Sequence, residues 1–306
     1  MPIAAVPLRL KTYGRDSVVA SFAGSFLNGK EMSMNTMRHA MVMKSYSRRA
    51  CFGLLLLVCL WASGCHKEEE PVVEETFKQT YPVQPDVHIT LKNTDGSFYV
   101  YGSGKSEVQV EAIKKAYGRE RLGKIQVNVT NTPGIFSIDT VYPPKPKLGL
   151  GDRSGTVDYV IIVPQTCTIS RLDVNTGEVI IDGLRGGGVS ASLVNGRMFN
   201  HNCFGQQQLF VANGALDVSF EWWETRKFSV EARILNGNLR ATIPSDGQFH
   251  LVAKTIDGNI SNDFSEQEDR HRGFTRSVDS IVGENAQTEI TLQATNGNIK
   301  IAQYNP

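Results

Sequence analysis

Leu172-Asp173-Val174-Asn175-Thr176-Gly177-Glu178-Val179-Ile180-Ile181 is the stretch on which the fold turns, because its pattern keeps returning. A polar residue and a glycine, flanked by small apolar and β-branched residues, recur at Asn195-Gly196, Asn213-Gly214, Asn236-Gly237, Asp257-Gly258 and Asn296-Gly297. Successive glycines lie 19, 18, 23, 21 and 39 residues apart, the last close to two periods. Asn tolerates positive φ and Gly prefers it, so each pair predicts a sharp change of chain direction. Weaker turn signals fall about midway, at Gly186-Gly187-Gly188, Phe204-Gly205, Glu224-Thr225 and Ser245-Asp246-Gly247. A fixed period of this kind marks a repeat architecture. Two arrangements fit it. One is a coil of parallel strands whose turns of roughly 20 residues stack at about 4.8 Å. The other is an antiparallel meander with Asn-Gly hairpins. Equivalent contexts recurring every turn favour the coil.

Upstream, the same grammar begins near Val87. Ile89-Thr90-Leu91 leads to Asn93-Thr94-Asp95-Gly96 and then to Phe98-Tyr99-Val100-Tyr101. Val108, Val110 and Ala112 alternate with Gln109 and Glu111, the period-2 mark of a half-buried strand. Residues 125–129, 136–138 and 157–163 read as further strands. Between them, Tyr142-Pro143-Pro144-Lys145-Pro146 cannot sit in a central strand, so 142–156 reads as a surface loop inside one domain.

The first 86 residues read as address and spacer. Lys44, Arg48 and Arg49 precede an apolar core from Ala50 to Ala62, 13 residues long and too short for a membrane-spanning helix of about 20. It runs into Ala62-Ser63-Gly64-Cys65, which resembles the bacterial lipobox, with Ala62 where Leu is usual. That resemblance implies a signal peptide over 41–64 and a lipid-modified Cys65. In a two-membrane cell it favours the outer membrane, because His66 stands where the inner-membrane retention signal has aspartate. Residues 1–40 precede this signal and read as a non-native or disordered extension, with Met41 or Met43 as the working start. From 65 to 86, charge and spaced prolines predict an extended tether.

Net charge is +1 over 306 residues, but 1–64 hold 8 basic against 2 acidic residues, leaving 24 against 29 from Cys65 onward. That acidic remainder argues against nucleic acid. Cys167 and Cys203 are the only cysteines after Cys65, and their spacing does not say whether they pair.

Four stretches together resemble the bacterial "putative adhesin" family of envelope-associated domains. They are Leu91 to Ala112, Val174 to Leu184, Leu235 to Phe264, and Ala294-Thr295-Asn296-Gly297-Asn298-Ile299-Lys300-Ile301. The resemblance covers roughly 87–301 and implies an all-β domain over 87–306, a right-handed, single-stranded parallel β-helix (a β-solenoid). It supplies no catalytic residues.

Chemistry is sparse. No His-x-x-x-His spacing, Cys-x-x-Cys, Gly-x-Ser-x-Gly or phosphate loop occurs, so no metal, cofactor or nucleophile is expected. The candidate binding surface is Trp223, taken to face out of a strand whose parity points Val218, Phe220 and Trp222 inward. To it is added the charged cluster Glu266, Glu268, Asp269, Arg270 and His271, set in the longest gap between glycines and read as a projecting loop. The expectation is a lipid-anchored, non-catalytic envelope protein, adhesin-like or stress-related, whose partner is a glycan or an envelope protein. The alternative is a polysaccharide-active enzyme, which would need converging carboxylates.

Overall fold

The computed structural model describes residues 72–144, 155–264, 270–272 (backbone only) and 275–305. The described residues are nearly all β, with one short helix among them, α1 (Arg119–Lys124). The strands are β1 (Val72–Pro82), β2 (His88–Asp95), β3 (Phe98–Ser103), β4 (Glu107–Tyr117), β5 (Gln126–Thr132), β6 (Ile135–Val141), β7 (Thr156–Pro164), β8 (Thr168–Asp182), β9 (Gly188–His201) and β10 (Gln206–Ser219). They continue as β11 (Ser229–Pro244), β12 (Phe249–Asp257), β13 (Ile260–Asn262), β14 (Arg270–Arg272), β15 (Thr275–Val282), β16 (Thr288–Asn296) and β17 (Ile299–Tyr304). All join one sheet of mixed pairing.

The Asn-Gly pairs are corners within rungs, not hairpins. In β11, Val230, Ala232 and Ile234 point inward before the corner, and Leu239, Ala241 and Ile243 after it. The step from Ile234 to Leu239 is five residues, which a straight strand would place on opposite faces. The same five-residue step separates Val174 from Val179, Leu193 from Met198, Val211 from Leu216 and Ala294 from Ile299, all buried. A bend at the glycine turns both arms of each rung toward one core. Alternation within each arm then leaves polar residues outside.

β8, β9, β10 and β11 pair in sequence, all parallel and in register, with Gly177, Gly196, Gly214 and Gly237 aligned. This excludes the meander for these rungs. The asparagines before Gly196, Gly214, Gly237 and Gly297 form a side-chain ladder. Asn213 Nδ2 donates to Asn195 Oδ1 at 3.0 Å, Asn236 Nδ2 to Asn213 Oδ1 at 2.9 Å, and Asn296 Nδ2 to Asn236 Oδ1 at 2.8 Å. An amide donates and accepts at once, so it can stack at rung spacing where carboxylates would repel. Asp95 and Asp257 occupy the same column only at its two ends.

Three expectations are corrected. First, the sheet is not a parallel coil throughout. β4 pairs antiparallel with β1 and β7, β5 with β6, and β15 with β12 and β14. Second, the rungs do not stack in chain order. β16 lies between β11 and β12, and β17 between β11 and β13, so the corner column runs Gly96, Gly177, Gly196, Gly214, Gly237, Gly297, Gly258. Third, residues 72–82 are not part of a tether running to 86. Residues 72–82 form β1, whose charged outer residues disguised it, while Phe77 and Tyr81 rest on the core, Tyr81 with its ring centroid 5.4 Å from that of Phe136. Lys78 and Glu75 bridge to Glu111 and Lys114 on β4.

Candidate functional site

Cys65, Glu266, Glu268 and Asp269 lie outside the described residues, and Arg270 and His271 belong to β14, of which only the backbone is described. Trp223 is described, and its expected orientation is reversed. β10 stops at Ser219, so strand parity no longer governs the residues beyond. Trp223 is half-buried, with ring centroids 5.8 Å from Phe220, 5.2 Å from Phe228 and 5.6 Å from Phe249. Trp222 is the outward one, 41% exposed, 5.8 Å from Phe204, with the Arg185 guanidinium 5.8 Å from its ring centroid. Arg185 also bridges Glu224 at 2.8 Å. In a Trp61→Phe background, acrylamide should quench the Trp223→Phe variant strongly and the Trp222→Phe variant weakly. Equal quenching of the two would refute these orientations.

The surface that departs most from strand alternation lies elsewhere. After the corners, the second arms of the rungs form a face running β1, β4, β7, β3, then the ends of β8, β9, β10, β11 and β17. Its outward positions should be polar. Yet register sets Val160, Tyr99, Ile180 and Phe199 side by side across four strands, with Ile162, Tyr101, Asp182 and His201 in the next row. Six of these eight are aromatic or aliphatic; Val160 is 37% and Tyr101 38% exposed, and the other four are half-buried. Phe199 meets the His201 ring edge-on at 6.2 Å.

Carboxylates surround this apolar centre. Glu111 follows Val160 in the first row and Asp217 follows Phe199, while Glu178 takes a hydrogen bond from Tyr99 Oη at 3.1 Å. Asp158 and Glu111 are bridged by Lys115 and Lys78. Among the described residues, Asp182 and Asp217 are in no ion pair. Partial burial raises the pKa of both, opposed by His201 for Asp182 and by Arg240 and His201 for Asp217. Burial likewise raises that of Tyr99.

Asp182 and Asp217 sit two strands and two residues apart, so their Cα atoms are roughly 12 Å apart on an open face. Glycoside-cleaving carboxylates face one another at about 5 to 9.5 Å across the scissile bond. A cavity of about 470 Å³ at the corner of β2 and β3 has one carboxylate, Asp95, in its lining, beside Lys115, Thr156 and Thr176. Among the described residues no cluster of His, Cys, Asp and Glu could hold a metal. Cys167 and Cys203 are buried free thiols, each pushed up to about 12 by desolvation. The face offers rings for stacking and carboxylates that accept hydrogen bonds.

No protein-family model matches the chain, and no curated protein matches it. Among solved structures, it is similar to "a putative cell adhesion protein from Clostridium sporogenes", at 13% identity and TM-score 0.46, over 75% of this chain and 100% of that one. It is also similar to "a putative adhesin" from Bacteroides fragilis, at 13% identity and TM-score 0.26, over 74% and 97% of the two chains. A third is a "Putative lipid binding protein" from Parabacteroides distasonis, at 11% identity and TM-score 0.21, over 76% and 95%.

Proposed function

We propose that this chain is a lipid-anchored, non-catalytic binding protein of the bacterial cell envelope, adhesin-like in that it attaches the cell to a partner. Its parallel rungs are read as turns of a right-handed β-solenoid, which the in-register stacking of β8 to β11 and a spacing of 18 to 23 residues support. The observation that carries the binding reading is the aromatic face, where apolar side chains stand at outward positions of exposed strands inside a rim of carboxylates. Exposed aromatic patches rimmed by polar groups mark contact surfaces. The wide separation of Asp182 and Asp217 disfavours the polysaccharide-cleaving alternative.

Anchoring rests on the basic segment, short apolar core and small residues leading into Cys65. Among the described residues no helix is long and apolar enough to cross a membrane. Two acyl chains hold a protein stably at a bilayer where one does not. Cys65→Ala should therefore move the chain from the membrane fraction to the soluble one; unchanged membrane retention would refute the anchor. Binding is tested separately. Cells displaying the Tyr101→Ala/Phe199→Ala variant should lose attachment to the level of cells lacking the chain, with the melting temperature of the purified variant within a few degrees of the parent. Full attachment by that variant would remove the aromatic face from the function.

A further inference from the structure

Resting on the binding reading above and narrowing it, we infer that the aromatic face takes a neutral, hydroxyl-rich polysaccharide, with sugar rings lying on Tyr99, Tyr101 and Phe199 and hydroxyls donating to Asp182, Asp217 and Glu178.

Charge disfavours the polyanions. Seven carboxylates stand at outward positions of this face: Glu74, Glu107, Glu111, Asp158, Glu178, Asp182 and Asp217. Its nearby cations are Lys78, Lys105, Lys115, Arg197, Arg240 and Lys300, and the first three are already bridged to carboxylates, at 3.0 Å (Glu111), 3.3 Å (Glu107) and 3.4 Å (Asp158). The small acidic excess, with half of the cations already bridged, disfavours nucleic acid, acidic lipid headgroups and uronate polymers as occupants.

Desolvation sets the hydrogen-bonding chemistry. Covering a carboxylate is unfavourable unless a donor replaces water. Among the described residues neither Asp182 nor Asp217 is closed off by an ion pair, Arg240 acting on Asp217 only from the adjoining strand, so an occupant that covers them must bring donors. A sugar hydroxyl does this, and the C–H face of the same ring covers the adjacent aromatic side chain.

Size argues against a protein partner. Three inter-strand gaps by one two-residue step, widened by the side chains themselves, give an apolar patch of roughly 250 Å². A standard protein interface buries about 800 Å² on each side. The same flatness offers no enclosure for a single sugar, whereas a polymer gathers several weak ring contacts along neighbouring rungs. Recognition should therefore need a chain of sugars.

Retention of the purified full chain on insoluble polysaccharides tests this. The probes are three neutral polymers (a β-glucan, a mannan and a xylan) and one anionic polymer, polygalacturonate. Expected is retention on at least one neutral polymer, none on polygalacturonate, and no competition by the free monosaccharide. Tyr101→Ala/Phe199→Ala should weaken that retention at least tenfold, and Asp217→Asn severalfold. Tyr101→Phe, which keeps the ring, should retain most of it, and that separates loss of stacking from loss of folding. Retention on polygalacturonate alone, or neutral-polymer retention indifferent to the double variant, would overturn the inference. So would a dimer of this chain that the double variant abolishes, since the occupant would then be a second copy. If no polymer is retained while the double variant still abolishes cell attachment, the glycan assignment fails and the binding reading stands. If attachment survives the double variant, the binding reading has failed.

Discussion

Gly237→Val should lower the melting temperature by 10 °C or more, or prevent recovery of folded protein. Gly237 has φ +137°, a region L side chains rarely adopt, and it lies at the corner of β11 between Asn236 and Asn238. A Cβ built there would fall 1.8 Å from the carbonyl oxygen of Gly214. That oxygen belongs to the neighbouring rung, so relief requires the two rungs to separate or the corner to unbend. The backbone strain alone is about 1–3 kcal/mol, and opening the ladder adds to it. At about 5 kcal/mol or more in total, with about 2–4 °C per kcal/mol for a domain of this size, the fall is 10 °C or more. Gly104→Ala is the control, because its Cβ would meet nothing within 4 Å. A Gly237→Val melting temperature equal to that of Gly104→Ala would show that the corner column tolerates side chains.

The corner column explains why so much of this fold could be read in the sequence. One glycine per rung is required by close approach of backbone to backbone, and that requirement repeats at the rung period. The return turns are legible for a related reason. The chain must leave one rung and start the next at 183–187, 202–205 and 245–248, and glycine or other turn residues mark each. Rung order is different. β12 and β16 both present alternating apolar residues and end in a polar-glycine pair, so each fits beside β11 equally well as a pattern. Which one pairs there is a non-local outcome, and the 39-residue spacing read as two periods concealed it. β1 was missed because an edge strand buries little; Phe77 and Tyr81 alone among its large residues reach inward from the middle and end of the strand. The aromatic face was half visible. Phe98-Tyr99-Val100-Tyr101 and Val160-Ile161-Ile162-Val163 are unbroken apolar runs, which ordinarily mean burial on both faces. Only the register shows that their outward members, with Ile180 and Phe199, meet on one exposed surface. The tryptophans show the converse failure, since parity extrapolated past Ser219 followed a strand that had already ended.

Removing residues 286–306 should damage the interior of the stack rather than trim its end. The deletion takes β16 and β17, which pair with β11 on one side and with β12 and β13 on the other. Ile290, Leu292, Ile299 and Ile301 leave with them, all buried. At about 1.5–3 kcal/mol each, their burial is worth roughly 6–12 kcal/mol, comparable to the whole stability of an ordinary domain. Were the rungs stacked in chain order, the same deletion would strip only an outer layer and leave the amides of β11 and β12 protected by one another. With β16 between them, β11 is left with β10 alone and β12 with β15 alone, and β12, β13, β14 and β15 lose their attachment to the rest of the sheet. Hydrogen exchange on the truncated chain should therefore show lost protection across β12 to β15 and in the β11 amides that faced β16 and β17, with protection persisting in β8, β9 and β10, whose ladder partners remain. Retained protection of β11 and β12, with a melting temperature within a few degrees of the full chain, would refute the inserted order. Loss confined to β11 through β15 would establish that the last strands of the chain lock the middle of the stack.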